Sequence, residues 1–328
     1  MVKKTLFLFT GGTISMKIDP ELGVAVPVLS GEEILSFVPG LDQLCEFEIL
    51  DFSRLPGPHM TPEKMVELSD LLNQQLARKD VQGAVITHGT DTLEETAFLL
   101  DLRLQISKPV AIVGAMRNSS ELGWDGPANL KAAVRVVLEG KPALQGILIV
   151  MNEQILAASE ATKTHAESVN TFQSPNFGPL GMIDKDRIVW MRQIARRQTF
   201  RAGPIESRVD LVKMVAGSDD RLIQMILEKG TKGLVIEGTG RGNVPPPVLP
   251  GIQSAIDQGI PVVIATRCQA GRVLDTYGYE GGGRDLRRRG AIFAGFLPGQ
   301  KARIKLMVVL GQVQELAEVK RLMEEGAY

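Results

Sequence analysis

The sequence predicts an α/β fold: a larger N-terminal domain on a doubly wound, mostly parallel sheet, followed by a smaller C-terminal α/β domain. Three observations carry this prediction. Short apolar, β-branched runs alternate with segments of helical period, and the runs are continuously apolar, as strands covered by helices on both faces must be. A stretch near residue 200 interrupts that alternation. The chain has 328 residues, 44% hydrophobic and 23% charged, the balance of a packed protein. At about 150 residues per domain its length suggests two cores.

The strand runs are residues 5–9, 84–86, 109–113, 146–150, 233–236 and 261–265, each bounded by glycine or polar turns and too short for a typical helix. Helix-period segments lie between or after them at 62–77, 94–102, 127–138, 222–228, 251–257 and 314–325. Residues 193–209 are rich in Arg, Gln, Gly and Pro without an apolar period, which reads as a linker between domains at 1–192 and 210–328.

Composition excludes several function classes. With 37 Lys and Arg against 38 Asp and Glu, the net charge of -1 offers no basic field for nucleic acid. No stretch approaches the roughly 18 apolar residues needed to cross a bilayer, so no membrane partner is expected. The apolar run Leu6-Phe7-Leu8-Phe9 is shorter than a signal-peptide core and ends in Thr10-Gly11-Gly12. Cys45 and Cys268 form neither a disulfide framework nor a zinc spacing, which favours a reducing, cytoplasmic setting and no metal. A small-molecule ligand remains.

Three segments can carry chemistry. Thr10-Gly11-Gly12-Thr13 follows the first strand, where the ligand crevice of an open α/β sheet lies, and its paired glycines allow close backbone approach beside the Thr13 hydroxyl. The same turn also serves as a plain strand exit. It lacks the third glycine of the dinucleotide fingerprint, so a nicotinamide cofactor is not expected. His88-Gly89-Thr90-Asp91-Thr92 follows another strand; Thr92 and Glu95 form a capping-box pattern, which leaves Thr90 and Asp91 available to a ligand or water. His88 reads as hydrogen-bonded structure or as a catalyst. Lys163 is a solvated charge unless the fold brings it onto Thr90, in which case it completes a hydroxyl, amine and carboxylate set suited to acyl transfer.

The ordered motifs TGGTISM, HGTDTLEETA, GAMR, DGPANL, ATKTH, FGPLG and QKARIKLM resemble the bacterial-type L-asparaginase/glutaminase family almost end to end. The resemblance implies hydrolysis of the L-asparagine side-chain amide without metal or organic cofactor, in a homodimer or homotetramer. Carried over by motif, Thr13 is the nucleophile, and Thr90, Asp91 and Lys163 position water and handle protons. Asp91 also meets the substrate α-ammonium, with Gly12, Gly57, Pro58, His59, Gly89 and Ala115 as further substrate-binding positions. Backbone N–H groups near Gly89 and Thr90 are candidate oxyanion donors. Asn243 matches a position through which a neighbouring subunit completes the site.

Two departures stand out. The family's loop tyrosine after TGGT is absent, since residues 16–29 contain none and the tyrosines are Tyr277, Tyr279 and Tyr328. Tyr277 or Tyr279 is the candidate replacement. At Pro56-Gly57-Pro58-His59, Gly57 occupies the family's serine position, with Ser53 as a substitute if the loop is longer and His59 as a source of different specificity. Two other readings accompany the hydrolase: a non-catalytic amino-acid binding or sensing protein on the same scaffold, and an amidase subunit of a tRNA-dependent amidotransferase. The second ranks last because such chains usually carry an extra N-terminal domain and the charge is near neutral.

Overall fold

A computed structural model describes residues 3–105, 107–140 and 146–326; Tyr328 lies outside them. The chain divides into two compact units between Arg201 and Ala202.

In the first unit the strands are β1 (Lys4–Gly11), β2 (Met16–Ile18), β3 (Ala25–Pro27), β4 (Glu46–Leu55), β5 (Val81–Thr87), β6 (Val110–Val113), β7 (Ile147–Met151), β8 (Gln154–Ala157), β9 (Thr162–Lys163), β10 (Phe172–Gln173), β11 (Gly181–Asp184) and β12 (Arg187–Trp190). Its helices are α1 (Gly31–Ser36), α2 (Leu41–Leu44), α3 (Pro62–Leu76), α4 (Leu93–Arg103) and α5 (Gly126–Glu139). Eight strands form one sheet in the order β12-β11-β8-β7-β6-β5-β1-β4 among the described residues. The part from β4 to β7 is parallel, as the continuous apolar runs predict, and β8, β11 and β12 extend it antiparallel.

Side-chain alternation along β1 builds both layers. Leu6 and Leu8 pack with residues of α3 and α4, whereas Phe7 and Phe9 pack with α1 and α5 on the opposite face. Fully burying each such side chain contributes about 1.5–3 kcal/mol. The chain leaves β1 towards α1 and β4, and leaves β5 towards α4 and β6, so the connections after these adjacent strands depart to opposite faces. A crevice at the carboxyl ends of β1 and β5 follows from that topology.

Helix α4 is buried on nearly every side. Its charged residues are therefore partnered: Arg103 donates to Asp70, and Asp101 accepts from Arg197 and from the Ile147 N–H. Arg197 also donates to the Asp101 and Leu104 carbonyls at the end of α4, and Phe200 is buried, so residues 197–200 are fastened to the first unit.

The second unit contains β13 (Val209–Lys213), β14 (Gly233–Gly238), β15 (Val262–Thr266) and β16 (Ile292–Phe293), paired in that order and all parallel. Its helices are α6 (Arg221–Glu228), α7 (Leu249–Asp257), α8 (Gly283–Arg289), α9 (Gly299–Leu310) and α10 (Leu316–Glu324). The sequence periodicity does not reveal α9, because that helix is buried nearly all round and includes two buried lysines, Lys301 and Lys305. Lys305 Nζ donates to the Met323 and Glu325 carbonyls at 3.0 and 2.9 Å, capping the end of α10.

Candidate active site

Glycines bring three loops together at the crevice. Gly11 and Gly12 have φ of 110° and 86°, a region that residues with a Cβ seldom occupy. A Cβ on Gly12 would stand 2.4 Å from Gly89 Cα, and one on Gly89 would stand 2.5 Å from Gly57 Cα. The loops following β1, β5 and β4 thus pack backbone on backbone. Thr13 and Thr90 each come next in the chain after one of these touching glycines. Thr13 opens a short 3-10 turn, Thr13–Ser15, pinned by Ser15 donating through N–H and Oγ to the Gly12 carbonyl. Its partly exposed hydroxyl has no hydrogen-bond partner among the described residues.

Lys163 reaches this point from the β9–β10 hairpin. Its Nζ donates to Thr90 Oγ1 at 3.0 Å and to Asp91 Oδ1 at 2.7 Å. The Lys163 side chain is 15% exposed, the Asp91 side chain 58%, and Thr90 is buried. The fold therefore supplies the contact on which the functional reading of Lys163 depends, across 73 positions of sequence. An open cavity of about 320 Å³ lies here, lined by Asp91, Lys163, Thr164, His165 and Ala166.

The start of α4 holds the surrounding loops. The capping box expected from Thr92 and Glu95 does not form: the Thr92 side chain makes no cap, and its hydroxyl instead donates to the Gly57 carbonyl at 2.7 Å. Glu94 Oε1 accepts from Thr162 Oγ1 and from the Lys163 N–H. His88 is buried between the Gly89 carbonyl, 2.8 Å from Nδ1, and Thr96 Oγ1, 2.9 Å from Nε2. A carbonyl can only accept, so Nδ1 carries the proton and Nε2 accepts from Thr96. Burial pushes the imidazole down to about 4, which keeps it neutral. His88 is thus a structural pin for the Gly89 backbone.

The other sequence-predicted positions take distinct places. Gly57 is buried, with room for a Cβ only 3.3 Å from Asp91 Cβ, whereas Pro58 and His59 are exposed on the short turn Gly57–His59. Ser53 lies on β4 and donates to the Thr10 carbonyl at 2.8 Å. Ala115 is fully buried, just after β6. The GAMR and DGPANL motifs meet there: Asp125 accepts from the Met116 and Arg117 N–H groups, and Asn129 donates to the Gly114 carbonyl. In FGPLG, the Gly178 carbonyl accepts from Arg192, which also pairs with Glu160, whose side chain is 6% exposed.

The segment after Thr13 forms the β2–β3 hairpin, tethered by Ser119 donating to the Met16 carbonyl and by the Ile18 N–H donating to Ser120. Tyr277 and Tyr279 belong to the second unit, where their rings stack at 5.6 Å and are exposed. In the same unit Asn243 closes a tight loop with Thr239 through paired backbone hydrogen bonds, and its buried Oδ1 has no partner among the described residues.

Sequence reasoning missed Glu94, which resembles an ordinary first-turn acid, and Thr96, which fixes His88. Only the absence of a solvent-facing stripe in α4 hints at their burial. No group of three or more His, Cys, Asp or Glu side chains suited to a metal occurs among the described residues. Nor is any described helix long and apolar enough to cross a membrane. What the site offers is an unpartnered hydroxyl near a hydroxyl–amine–carboxylate relay, the groups of covalent acyl transfer.

Known proteins share this arrangement of sequence and fold. Residues 4–196 match the family model "Asparaginase, N-terminal" and residues 208–323 match "Glutaminase/Asparaginase C-terminal domain". A probable L-asparaginase of Deinococcus radiodurans is 38% identical, covering 98% of this chain and 97% of that protein. A subunit of the glutamyl-tRNA(Gln) amidotransferase of Pyrococcus furiosus is 32% identical over 96% of this chain but 74% of its own length. The crystal structure of a probable cytoplasmic L-asparaginase from Campylobacter jejuni superposes with a TM-score of 0.88 at 28% identity, covering 98% of this chain and 99% of that one. The chain belongs to the asparaginase family and is a hydrolase acting on amides.

Proposed function

We propose that the protein hydrolyses the side-chain amide of L-asparagine to L-aspartate and ammonia through a threonine acyl-enzyme. The observation that carries this reading is Lys163 Nζ held between Thr90 Oγ1 and Asp91 Oδ1, beside the glycine contact that brings the Thr13 and Thr90 loops together. Thr13 Oγ attacks the amide carbon, and backbone N–H groups near Gly89 and Thr90 receive the oxyanion. The proton given up by the Thr13 hydroxyl passes to the amide nitrogen, so collapse expels ammonia and leaves an ester on Thr13. Water, deprotonated through Thr90 and Lys163, then attacks the ester and releases aspartate with the Thr13 hydroxyl restored. Asp91 meets the substrate α-ammonium through a charge-assisted hydrogen bond, with Gly12, Gly57, Pro58, His59 and Ala115 as the surrounding binding positions.

The reading includes a homodimer or homotetramer in which Asn243 of one copy completes the site of another. The buried, unpartnered Asn243 Oδ1 supports a ligand or a partner group at that atom. It also assigns the missing tyrosine hydroxyl to Tyr277 or Tyr279, glutaminase side activity to the same site, and a cytoplasmic setting, supported by two free cysteines. The similarity to an amidotransferase subunit favours a second reading, an amidase working within such a complex, although this chain spans only 74% of that subunit.

Ammonia release from purified protein offered L-asparagine, D-asparagine, L-glutamine and a simple aliphatic amide tests the reading, with Thr13→Ala as blank. Release from L-asparagine that falls by about 10⁴-fold in Thr13→Ala is expected. Release that persists in that variant removes Thr13 from the mechanism, and no release from any amide favours the binding-protein reading. Tyr277→Phe and Tyr279→Phe, assayed separately, identify the substituting hydroxyl; full rates in both discard it.

A further inference from the structure

Acidic residues in the first turn of a helix are ordinarily solvated and favoured by the helix dipole. Glu94, second residue of α4, is only 5% exposed. A buried carboxylate is costly unless hydrogen-bonded, and Glu94 Oε1 accepts from Thr162 Oγ1 at 3.0 Å and from the Lys163 N–H at 3.2 Å. These bonds join the β9–β10 hairpin, which forms its own two-stranded sheet, to the helix that follows Thr90 and Asp91. The other hydrogen bonds of Thr164 and His165 stay within that hairpin.

The arrangement is a closed ring. Lys163 is held at its backbone by Glu94 and at its tip by Thr90 and Asp91, all within one five-residue stretch. A lysine side chain has a flexible four-carbon stem, so the position of its amine depends on where its backbone is fixed. We propose that Glu94 is the positioning residue of the site: it registers the β9–β10 hairpin against α4 so that Lys163 Nζ stays within reach of Thr90. It touches no reacting atom and acts through Lys163. The inference rests on the reading of Lys163 as the proton-transfer amine.

Four variants test it: Glu94→Ala, Glu94→Gln, Lys163→Met and the double variant Glu94→Ala/Lys163→Met. Misplacing a reactive group by an ångström can cost about 100-fold in rate, so Glu94→Ala is expected to lower kcat by about that factor with KM little changed. Glu94→Gln keeps an oxygen acceptor and restores most of kcat. In the Lys163→Met background, removing Glu94 costs nothing more, because the two losses describe one interaction. Equal losses in both backgrounds, or a wild-type rate in Glu94→Ala, overturn the proposal. Should Glu94→Ala fail to fold, Thr162→Val, which removes one of the two bonds, is expected to lower kcat, and an unchanged kcat overturns the proposal. A crystal structure of Glu94→Gln or of Thr162→Val, compared with that of Glu94→Ala where it folds, provides a readout independent of turnover. Loss of the Nζ–Thr90 bond in the variants that lose Glu94 contacts, with its retention in Glu94→Gln, supports the role, and retention in every variant overturns it. A wild-type protein that releases no ammonia would refute the assigned reaction and leave this geometric test to decide Glu94.

Discussion

Each unit sets an amine beside a carboxylate near the carboxyl ends of its parallel strands, and the two pairs are built the opposite way round. Lys163 and Asp91 meet at 2.7 Å with side chains 15% and 58% exposed; Lys213 and Glu237 meet at 3.3 Å with side chains 59% and 10% exposed. In the second unit the buried member is the carboxylate, and a Cβ on Gly299 at the start of α9 would stand 2.6 Å from Glu237 Oε1. Glu237 lies at a helix N-terminus, where negative charge is stabilised, with a solvated lysine as its counter-charge. In the first unit the amine is withdrawn from water and also touches a hydroxyl. On the proposed mechanism, position at a strand end does not separate a reactive pair from an anchoring one; which member is withdrawn from water does.

Removing each lysine is the severest test of that distinction. On the proposed mechanism Lys163→Met lowers kcat/KM by roughly 10²- to 10⁴-fold, the range of a positioned proton-transfer group. Lys213→Met removes an exposed ion-pair partner, expected to contribute less than about 1 kcal/mol, and leaves turnover unchanged. Steady-state kinetics on both variants, with unfolding midpoints as control, checks this. Equal rate losses would break the comparison.

A second test uses glycines from the loops of each unit. Gly89 has no room: an added Cβ meets Gly57 Cα at 2.5 Å, backbone against backbone, where no side chain can swing aside. Gly217 has φ of 80° but nothing within 4 Å. Gly89→Ala is expected to destabilise by roughly 3 kcal/mol or more through collision, and Gly217→Ala by about 1–2 kcal/mol through the left-handed backbone alone. Urea unfolding of the two variants measures the gap. A Gly89→Ala protein as stable as Gly217→Ala would mean that the three loops are not locked together.

The sequence made the two units legible to different depths. Strands β1, β5, β6, β7, β14 and β15 are apolar on both faces, and α3, α5 and α6 carry a clear period, so fold class follows from pattern alone. Helix α9 escapes because tertiary burial erases its polar face and because Lys305 finds carbonyls that lie 18 and 20 positions away. Edge strand β4 alternates charged and apolar residues and is half exposed, a weak signal beside the central runs. Within the site, the motifs locate Thr13, Thr90, Asp91 and Lys163, but not the bond between Lys163 and Thr90, which only the fold creates. Glu94 stays hidden for a related reason: a first-turn glutamate looks solvated until the β9 hairpin covers it.

A third test separates the units by pH. Burial pushes His88 in the first unit down from 6.5 to about 4 and Lys305 in the second down from 10.5 to about 7, with the Glu325 charge opposing the second shift. A depressed basic group is protonated in the unfolded chain before it is protonated in the folded one. Stability is therefore intact above the unfolded value and falls with pH across the window, by about 1.4 kcal/mol per pH unit. The Lys305 window, between 10.5 and about 7, weakens the second unit while His88 is still silent; the His88 window, between 6.5 and about 4, weakens the first unit afterwards. Amide hydrogen exchange read separately in each unit resolves the two, with Lys305→Met and His88→Gln each expected to flatten its own window alone. A slope that both variants flatten together would tie the units into one cooperative block, and the contrast between their buried basic groups would then lose its separate readouts.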